Sequence, residues 1–316
     1  MYMIMSVADR TPPQPVLPTR AAVEAAAGRL AGITVVTPLL GSEQLDRLTG
    51  CRLRCKCENR QRTGSFKLRG ASNALALLPP AVRGVATHSS GNHGAALAAA
   101  AARRGLEAHI VMPDNASSIK RAAVEALGGS IHDCAPTQTA REAGLAALIA
   151  AGFHPVPPYD DERIIAGQGT VALEMQVQDP QLTDLVVPVG GGGLVAGCLL
   201  AVDGREVRVT GVEPAGADDA RRSLAAGRRI TEHDPRTIAD GLRALVGERN
   251  LAIMRAYALS ILTVTDQEIR AAMDLLAEHL GERVEPSAAV TLAGVLKHPD
   301  RFAGRRVGLV LSGGNV

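Results

Sequence analysis

Lys67 stands in the stretch TGSFKLRG (63–70), one phenylalanine after a Thr-Gly-Ser turn and at the expected first turn of a helix. The positive end of a helix dipole disfavours a buried ammonium, so this lysine is either solvated and inert or has an anion beside it. Two other stretches could hold anions. In VVPVGGGGLVAG an apolar strand runs into Gly190, Gly191, Gly192 and Gly193 and then into a helix. Each glycine costs about 0.5 to 1 kcal/mol relative to alanine in ordered structure, so four in a row suit bare amides converging on a phosphate better than a simple turn. THSSGNHGAAL places Ser89, Ser90, Gly91, Asn92 and His93 ahead of an alanine-rich helix. Such residues either cap the helix or cradle a carboxylate. Ser312 ends the apolar strand of VGLVLSGGNV, a position that points a hydroxyl into the same crevice.

A phosphate cradle, a carboxylate cradle and a lysine can serve one ligand, pyridoxal phosphate. Its aldehyde would be held by Lys67 as an imine, which removes the buried ammonium. The freed lysine, tuned by the helix start and the cofactor, would then act as a base at Cα. A dinucleotide site competes: Gly191, Gly193 and Ala196 satisfy G-x-G-x-x-A after a strand, and Glu213 follows about 20 residues on, where a ribose-binding acid belongs. That reading leaves TGSFK without a purpose. No Gly-Lys-Ser/Thr ends the glycine loop, so a nucleoside-triphosphate site is not supported.

The elements that must position these residues alternate. Short β-branched runs at 52–58, 84–89, 107–112, 130–134, 185–189, 207–213 and 306–312 read as strands. Alanine- and leucine-rich segments at 66–78, 93–104, 117–127, 139–151, 170–178, 194–203 and 266–280 read as helices. This is the pattern of an α/β protein with parallel sheets. Residues 84–154 form a self-contained run closed by HPVPPYD, which divides the chain into a small domain (84–154) and a large one (1–83 and 155–316). Ligands in open α/β sheets bind beyond the carboxyl ends of strands, where all three turns lie.

The 316 residues carry 34 basic and 32 acidic side chains without a dense basic run, and 2% aromatics, so nucleic acid is not an expected partner. Five cysteines without a signal-peptide pattern point to reduced thiols in a cytoplasm. Cys51, Cys55 and Cys57 alternate along a strand with no second Cys or His pair to complete a zinc site, and read as plain strand residues. Apolar runs fall short of the ~20 residues needed to cross a bilayer, so a soluble protein is expected, and the proline-rich first ~18 residues are expected to be poorly ordered.

RTGSFKLRGA, SSGNHG, AGQGTVALE, VPVGGGGLVAG, GVEPAGADD, IADG, EPSAAV and LSGGNV follow one another in this order. With these motifs the chain resembles, from about residue 34 to 316, the fold type II pyridoxal phosphate enzymes, and among them the serine racemase and serine/threonine dehydratase family. The resemblance implies a two-lobed, tryptophan synthase β-like architecture, each lobe an open, mostly parallel twisted sheet flanked by helices. It implies that Lys67 carries the cofactor, Phe66 packs near the pyridine and Asn92 bonds the phenolic oxygen. Gly190 to Gly193 with Leu194 would hold the phosphate. Ser312 would face the pyridine nitrogen, a weaker electron sink that favours β-elimination over transamination. Ser89 to His93 would bind the substrate carboxylate, and Ser90 would be the acid–base group opposite Lys67 that makes racemisation available. Glu213, the Ala217 carbonyl and Asp219 would hold Mg²⁺, Ca²⁺ or Mn²⁺.

The implied reaction is elimination of water from L-serine or L-threonine to a 2-keto acid and ammonia, with racemisation as a second outcome and 3-hydroxyaspartate as an alternative substrate. A homodimer is expected from the resemblance alone. Asn59, Gln61 and Arg62 depart from the apolar residues common ahead of the lysine motif, and Glu285 is placed near the cofactor ring or at a helix start. A nicotinamide oxidoreductase and a non-catalytic amino-acid-binding module are the readings of other classes.

Overall fold

The computed structural model describes residues 17–89 and 91–316. Residues 1–16 of the proline-rich start, and Ser90, lie outside the described residues.

The chain begins with α1 (Arg20–Leu30), β1 (Leu39–Leu40), α2 (Glu43–Thr49), β2 (Arg52–Cys57), α3 (Lys67–Ala76), β3 (Gly84–His88) and α4 (Asn92–Arg104). It continues through β4 (Glu107–Pro113), α5 (Ser118–Ala126), β5 (Gly129–Cys134), α6 (Gln138–Ala150), β6 (His154–Pro155), α7 (Glu162–Gln178), β7 (Asp184–Pro188) and α8 (Gly193–Ala201). The remaining elements are β8 (Arg208–Pro214), α9 (Asp219–Ala225), α10 (Glu248–Ala256), β9 (Ser260–Val264), α11 (Asp266–Leu280), α12 (Pro286–Lys297), α13 (Pro299–Phe302) and β10 (Arg306–Leu311).

Two sheets organise them. The larger has the order β1-β2-β10-β7-β8-β9, parallel except for the antiparallel β1. The smaller has the order β5-β4-β3-β6 and is parallel throughout. One core packs α7, α8 and α10 against β7 and Val310, and a second packs α2, α11 and α12 against β2 and β10. A third joins the small sheet to α4 and α3, through Leu68, Ala71 and Leu75. Because α3 packs on both α4 and α7, the helix that starts at Lys67 bridges the two sheets.

The expected helix at 170–178 starts eight residues earlier, at Glu162, capped by the Asp161 side chain on the Arg163 and Ile164 amides. Glycines in AGQGT look like a break, but here they allow close helix packing: a Cβ on Gly169 would sit 2.5 Å from the Gly197 carbonyl oxygen. α1, α2, α10, α12 and β9 are not among the expected elements. α12 is apolar nearly all round and buried along Ser287–Val295, so it has no clear one-faced period. Cys51, Cys55 and Cys57 are buried and free, and burial raises their thiol pKa values.

Candidate active site

β2, β10 and β7 are parallel neighbours, so the segments leaving them emerge at one edge of the large sheet. Those segments are the turn to Lys67, Ser312 with the C-terminal glycines, and Gly190–Gly193. The Phe66 amide donates to the Ser312 carbonyl at 3.1 Å, Ser65 bridges to Gly313, and the Gly314 amide donates to the Gly64 carbonyl at 3.0 Å. The chain's last turn thereby fixes the position of the lysine turn.

Lys67 Nζ donates to the Pro158 carbonyl at 2.9 Å and lies 5.2 Å from the Phe66 ring centre. Burial lowers its pKa to about 8, against the opposing pull of the Glu285 carboxylate. An amine with that pKa is partly neutral near pH 7 and can serve as nucleophile or base.

The glycine loop fits a phosphate. Among the described residues, the N–H groups of Gly190, Gly191 and Gly192 have no acceptor. Gly192 takes φ +91°, and a Cβ on Gly191 would run into the ring of Tyr159. Leu194 is buried in the first turn of α8, whose N-terminus points its free amides at the loop. Asn250 Nδ2 donates to the Gly191 carbonyl at 2.6 Å, and Asp160 accepts from the Glu248, Arg249 and Asn250 amides, tying the loop to α10.

The small sheet contributes the facing edge. Ser89 Oγ accepts from the Gly91 and Gly94 amides at 3.1 and 3.0 Å, so this hydroxyl caps α4. The capping reading and the cradle reading of the loop therefore both apply, to different groups. His93 Nε2 pairs with the Val156 carbonyl at 3.1 Å while its Nδ1 is buried without a partner. Burial, with the charge of Lys67, lowers its pKa to about 3, so His93 is neutral at physiological pH.

Asn92 Nδ2 donates to both Glu285 oxygens, at 2.8 and 3.0 Å, and its Oδ1 accepts from Asn315 at 2.8 Å. Its amide is thus held toward Glu285, which sits against Gly313 rather than serving only as a helix start. Burial raises the Glu285 pKa. Asn59 and Arg60 both donate to the buried Glu282, which gives Asn59 a structural use. Tyr159, Asp160, Asn250 and Asn315 belong to the site although no spacing rule singles them out; Asn315 lies within the motif LSGGNV.

Glu213 lies apart from this centre. Its two oxygens accept from the Ala220 and Arg221 amides at 3.0 and 2.9 Å, and the side chain is fully buried. It caps α9 and is unavailable to a ribose, which removes the dinucleotide assignment of this acid. Burial raises its pKa to about 8. Asp219 Oδ2 accepts from the Val246 amide at 2.8 Å, whereas Oδ1 is buried without a hydrogen bond, 3.7 Å from His233 Nε2. Ala217 is buried in the turn between them. Asp218 pairs with Arg221 and Arg222, so it is accounted for without a metal. Among the described residues no three His, Cys, Asp or Glu side chains converge as a metal cluster, so a cation here would need the Ala217 carbonyl and water besides the orphaned Asp219 oxygen.

Among the described residues no helix is long and apolar enough to cross a membrane. The family model for pyridoxal-phosphate dependent enzymes matches residues 30–313. A β-hydroxyaspartate dehydratase from Paracoccus denitrificans is 45% identical over 285 residues, 89% of this chain and 90% of that protein. The structure of maize serine racemase superposes with a TM-score of 0.92 at 38% identity, covering 95% of this chain and 94% of the other. The serine racemase of Dictyostelium discoideum gives a TM-score of 0.89 at 39% identity, covering 95% and 99%, and a bacterial-type threonine deaminase gives 0.90 at 42% identity with the same coverage.

Proposed function

Because the chain belongs to the family of pyridoxal-phosphate dependent enzymes, we propose that it eliminates water from a β-hydroxy amino acid, giving a 2-keto acid and ammonia. The observation that carries this reading is Lys67 itself: a buried amine, lowered to about pKa 8, placed between the glycine loop and the Ser89–His93 loop.

Each group has work to do. The amides of Gly190 to Gly193 and Leu194 hold the phosphate, Phe66 packs near the pyridine, and Ser312 faces the ring nitrogen. Asn92, turned by Glu285 and Asn315, addresses the phenolic oxygen. Bound to Lys67, the cofactor supplies the electron sink that makes a Cα proton removable. Ser89, Ser90, Gly91, Asn92 and His93 bind the substrate carboxylate; the fixed Ser89 side chain leaves the backbone N–H groups and Asn92 as donors. Lys67 removes the Cα proton as the base. The unpartnered His93 Nδ1 is an acceptor that can orient the substrate hydroxyl.

Ser90 is the acid–base group on the opposite face, and proton delivery from it gives the other enantiomer. L-Serine and L-threonine are the substrates considered first. The likeness to the Paracoccus dehydratase favours 3-hydroxyaspartate as a second reading.

A divalent cation, Mg²⁺, Ca²⁺ or Mn²⁺, is assigned to Glu213, the Ala217 carbonyl and Asp219, on the strength of the orphaned Asp219 oxygen. Residues 84–154 make the small substrate-loop domain and 1–83 with 155–316 the cofactor-binding one. The enzyme is taken as a cytoplasmic homodimer acting on small amino acids, without nucleic acid or membrane partners.

The test is a keto-acid assay on L-serine, L-threonine, D-serine and 3-hydroxyaspartate, with and without Mg²⁺ and a chelator, beside borohydride trapping of the purified protein. A pyridoxyl adduct at Lys67, and turnover lost in Lys67→Ala, are expected. Absence of the adduct overturns the reading, and turnover persisting in Lys67→Ala removes the lysine from catalysis.

A further inference from the structure

β3, β4 and β5 are parallel, so the turns that follow them leave the small sheet at the same edge. The Ser89–His93 loop follows β3, and α6 begins after β5, capped by Thr137 on the Ala140 amide at 3.2 Å. Arg141 lies at the start of α6, on the crevice side of the small sheet.

Its charge has no counterpart. Among the described residues Arg141 makes no ion pair and no side-chain hydrogen bond, and its Nε is buried without a partner. The neighbouring Glu142 accepts from Gln138 at 2.7 Å instead. Other cations near the crevice are engaged: Lys120 with Asp240, Arg163 with Asp161, and Lys67 with the Pro158 carbonyl. A buried guanidinium nitrogen left without an acceptor is costly unless a ligand supplies one.

The electrostatic neighbours locate it. Burial holds the His93 imidazole low, aided by Lys67 on one side and His88 on the other. Burial and then Arg141 do the same to His88, the last residue of β3. Lys67, His93, His88 and Arg141 therefore form a succession across the crevice, and His88, held neutral, does not compete for an anion.

We propose that Arg141 receives a second carboxylate, on the side chain of the substrate, and so selects a β-hydroxy dicarboxylic amino acid over serine or threonine. This rests on the elimination proposed above. Serine presents hydrogen and threonine a methyl group where 3-hydroxyaspartate presents a carboxylate, and a bidentate guanidinium–carboxylate pair is the strong form of such recognition.

Steady-state kinetics of the holoenzyme and its Arg141→Gln and Arg141→Lys variants decide it. The ratio of kcat/KM for 3-hydroxyaspartate to that for L-serine should fall about tenfold or more in Arg141→Gln, with the loss in KM, and partly recover in Arg141→Lys. An unchanged ratio overturns the proposal. If the wild type turns over neither substrate, the elimination reading fails, and thermal shift of the holoenzyme with succinate or butyrate still judges Arg141. Greater stabilisation by succinate, lost in Arg141→Gln, supports the assignment; equal stabilisation by the two acids, or an effect retained in the variant, refutes it.

Discussion

Asn92 gives its side-chain amide to both oxygens of Glu285, and this links the first residue of α4 on the small sheet to the residue that precedes α12 on the large one. The carboxylate so held is the charge that partly offsets the burial of Lys67. Its removal should therefore lower the lysine pKa further below about 8. Cofactor uptake needs the neutral amine, so the uptake rate of apoprotein rises with pH through that value. In Glu285→Gln the uptake profile should move to lower pH, and stopped-flow absorbance across pH 6 to 9 measures it. A profile that stays in place, or moves up, disproves the coupling.

Acid stability follows from His93. Its folded pKa of about 3 lies below the unfolded value near 6.5, so the unfolded chain binds the proton first. That contribution is neutral above about pH 6.5 and becomes destabilising below it, by about 1.4 kcal/mol per pH unit until the folded group also titrates. Urea unfolding at pH 7 and pH 5 should show a smaller acid loss in His93→Gln than in the wild type. Equal losses would mean that other groups carry the effect.

Arg69, two residues past Lys67, is bound through both Glu58 oxygens and both Glu174 oxygens at 2.7 to 2.9 Å. Lys56 joins the same cluster by donating to Glu174 at 2.6 Å and to the Thr37 carbonyl at 2.8 Å. Burial opposes ionisation of Glu58, yet Arg69 holds its carboxyl below the usual range. Arg69→Met leaves charges buried without a partner and should cost about 3–5 kcal/mol. The urea midpoint with an unchanged m-value reports this loss; a loss under about 1 kcal/mol would show that the cluster relaxes or hydrates.

Gly191→Ala should weaken cofactor retention, because the new methyl meets the Tyr159 ring. Dialysis against phosphate buffer, followed by the visible band, is expected to release the cofactor at least about tenfold faster, the equivalent of about 1.4 kcal/mol. Adding Tyr159→Ala should recover part of the retention. No recovery would place the fault in the backbone of the loop instead.

Much of this site is legible along the chain because its parts are local. A strand, a glycine turn and a helix start within a dozen residues suffice to mark Gly190–Gly193, and the same holds for Ser89–Gly94 and for the turn before Lys67. What resists reading depends on residues far apart in sequence. α7 begins eight residues before its expected start because its glycines serve packing against α8, and Tyr159 reaches the phosphate loop from the Pro-rich crossing. Glu213 has the position of a ribose-binding acid in sequence, but its oxygens are turned onto the α9 amides. Asp218 and Asp219 look equivalent side by side, and only the arginines on one of them tell them apart.

By itself the sequence determined the chemistry that was available: a lysine at a helix start, bare amides after a strand, a serine-rich turn, and alternating elements that require parallel sheets. Those are consequences of backbone geometry over a few residues, where side-chain type and spacing decide. Tertiary structure alone decided the electrostatics. Which carboxylate faces Asn92, what lowers the Lys67 pKa, and why Arg141 lacks a partner depend on desolvation and on charges brought together from both sheets, and these fall off with distance in space rather than along the chain.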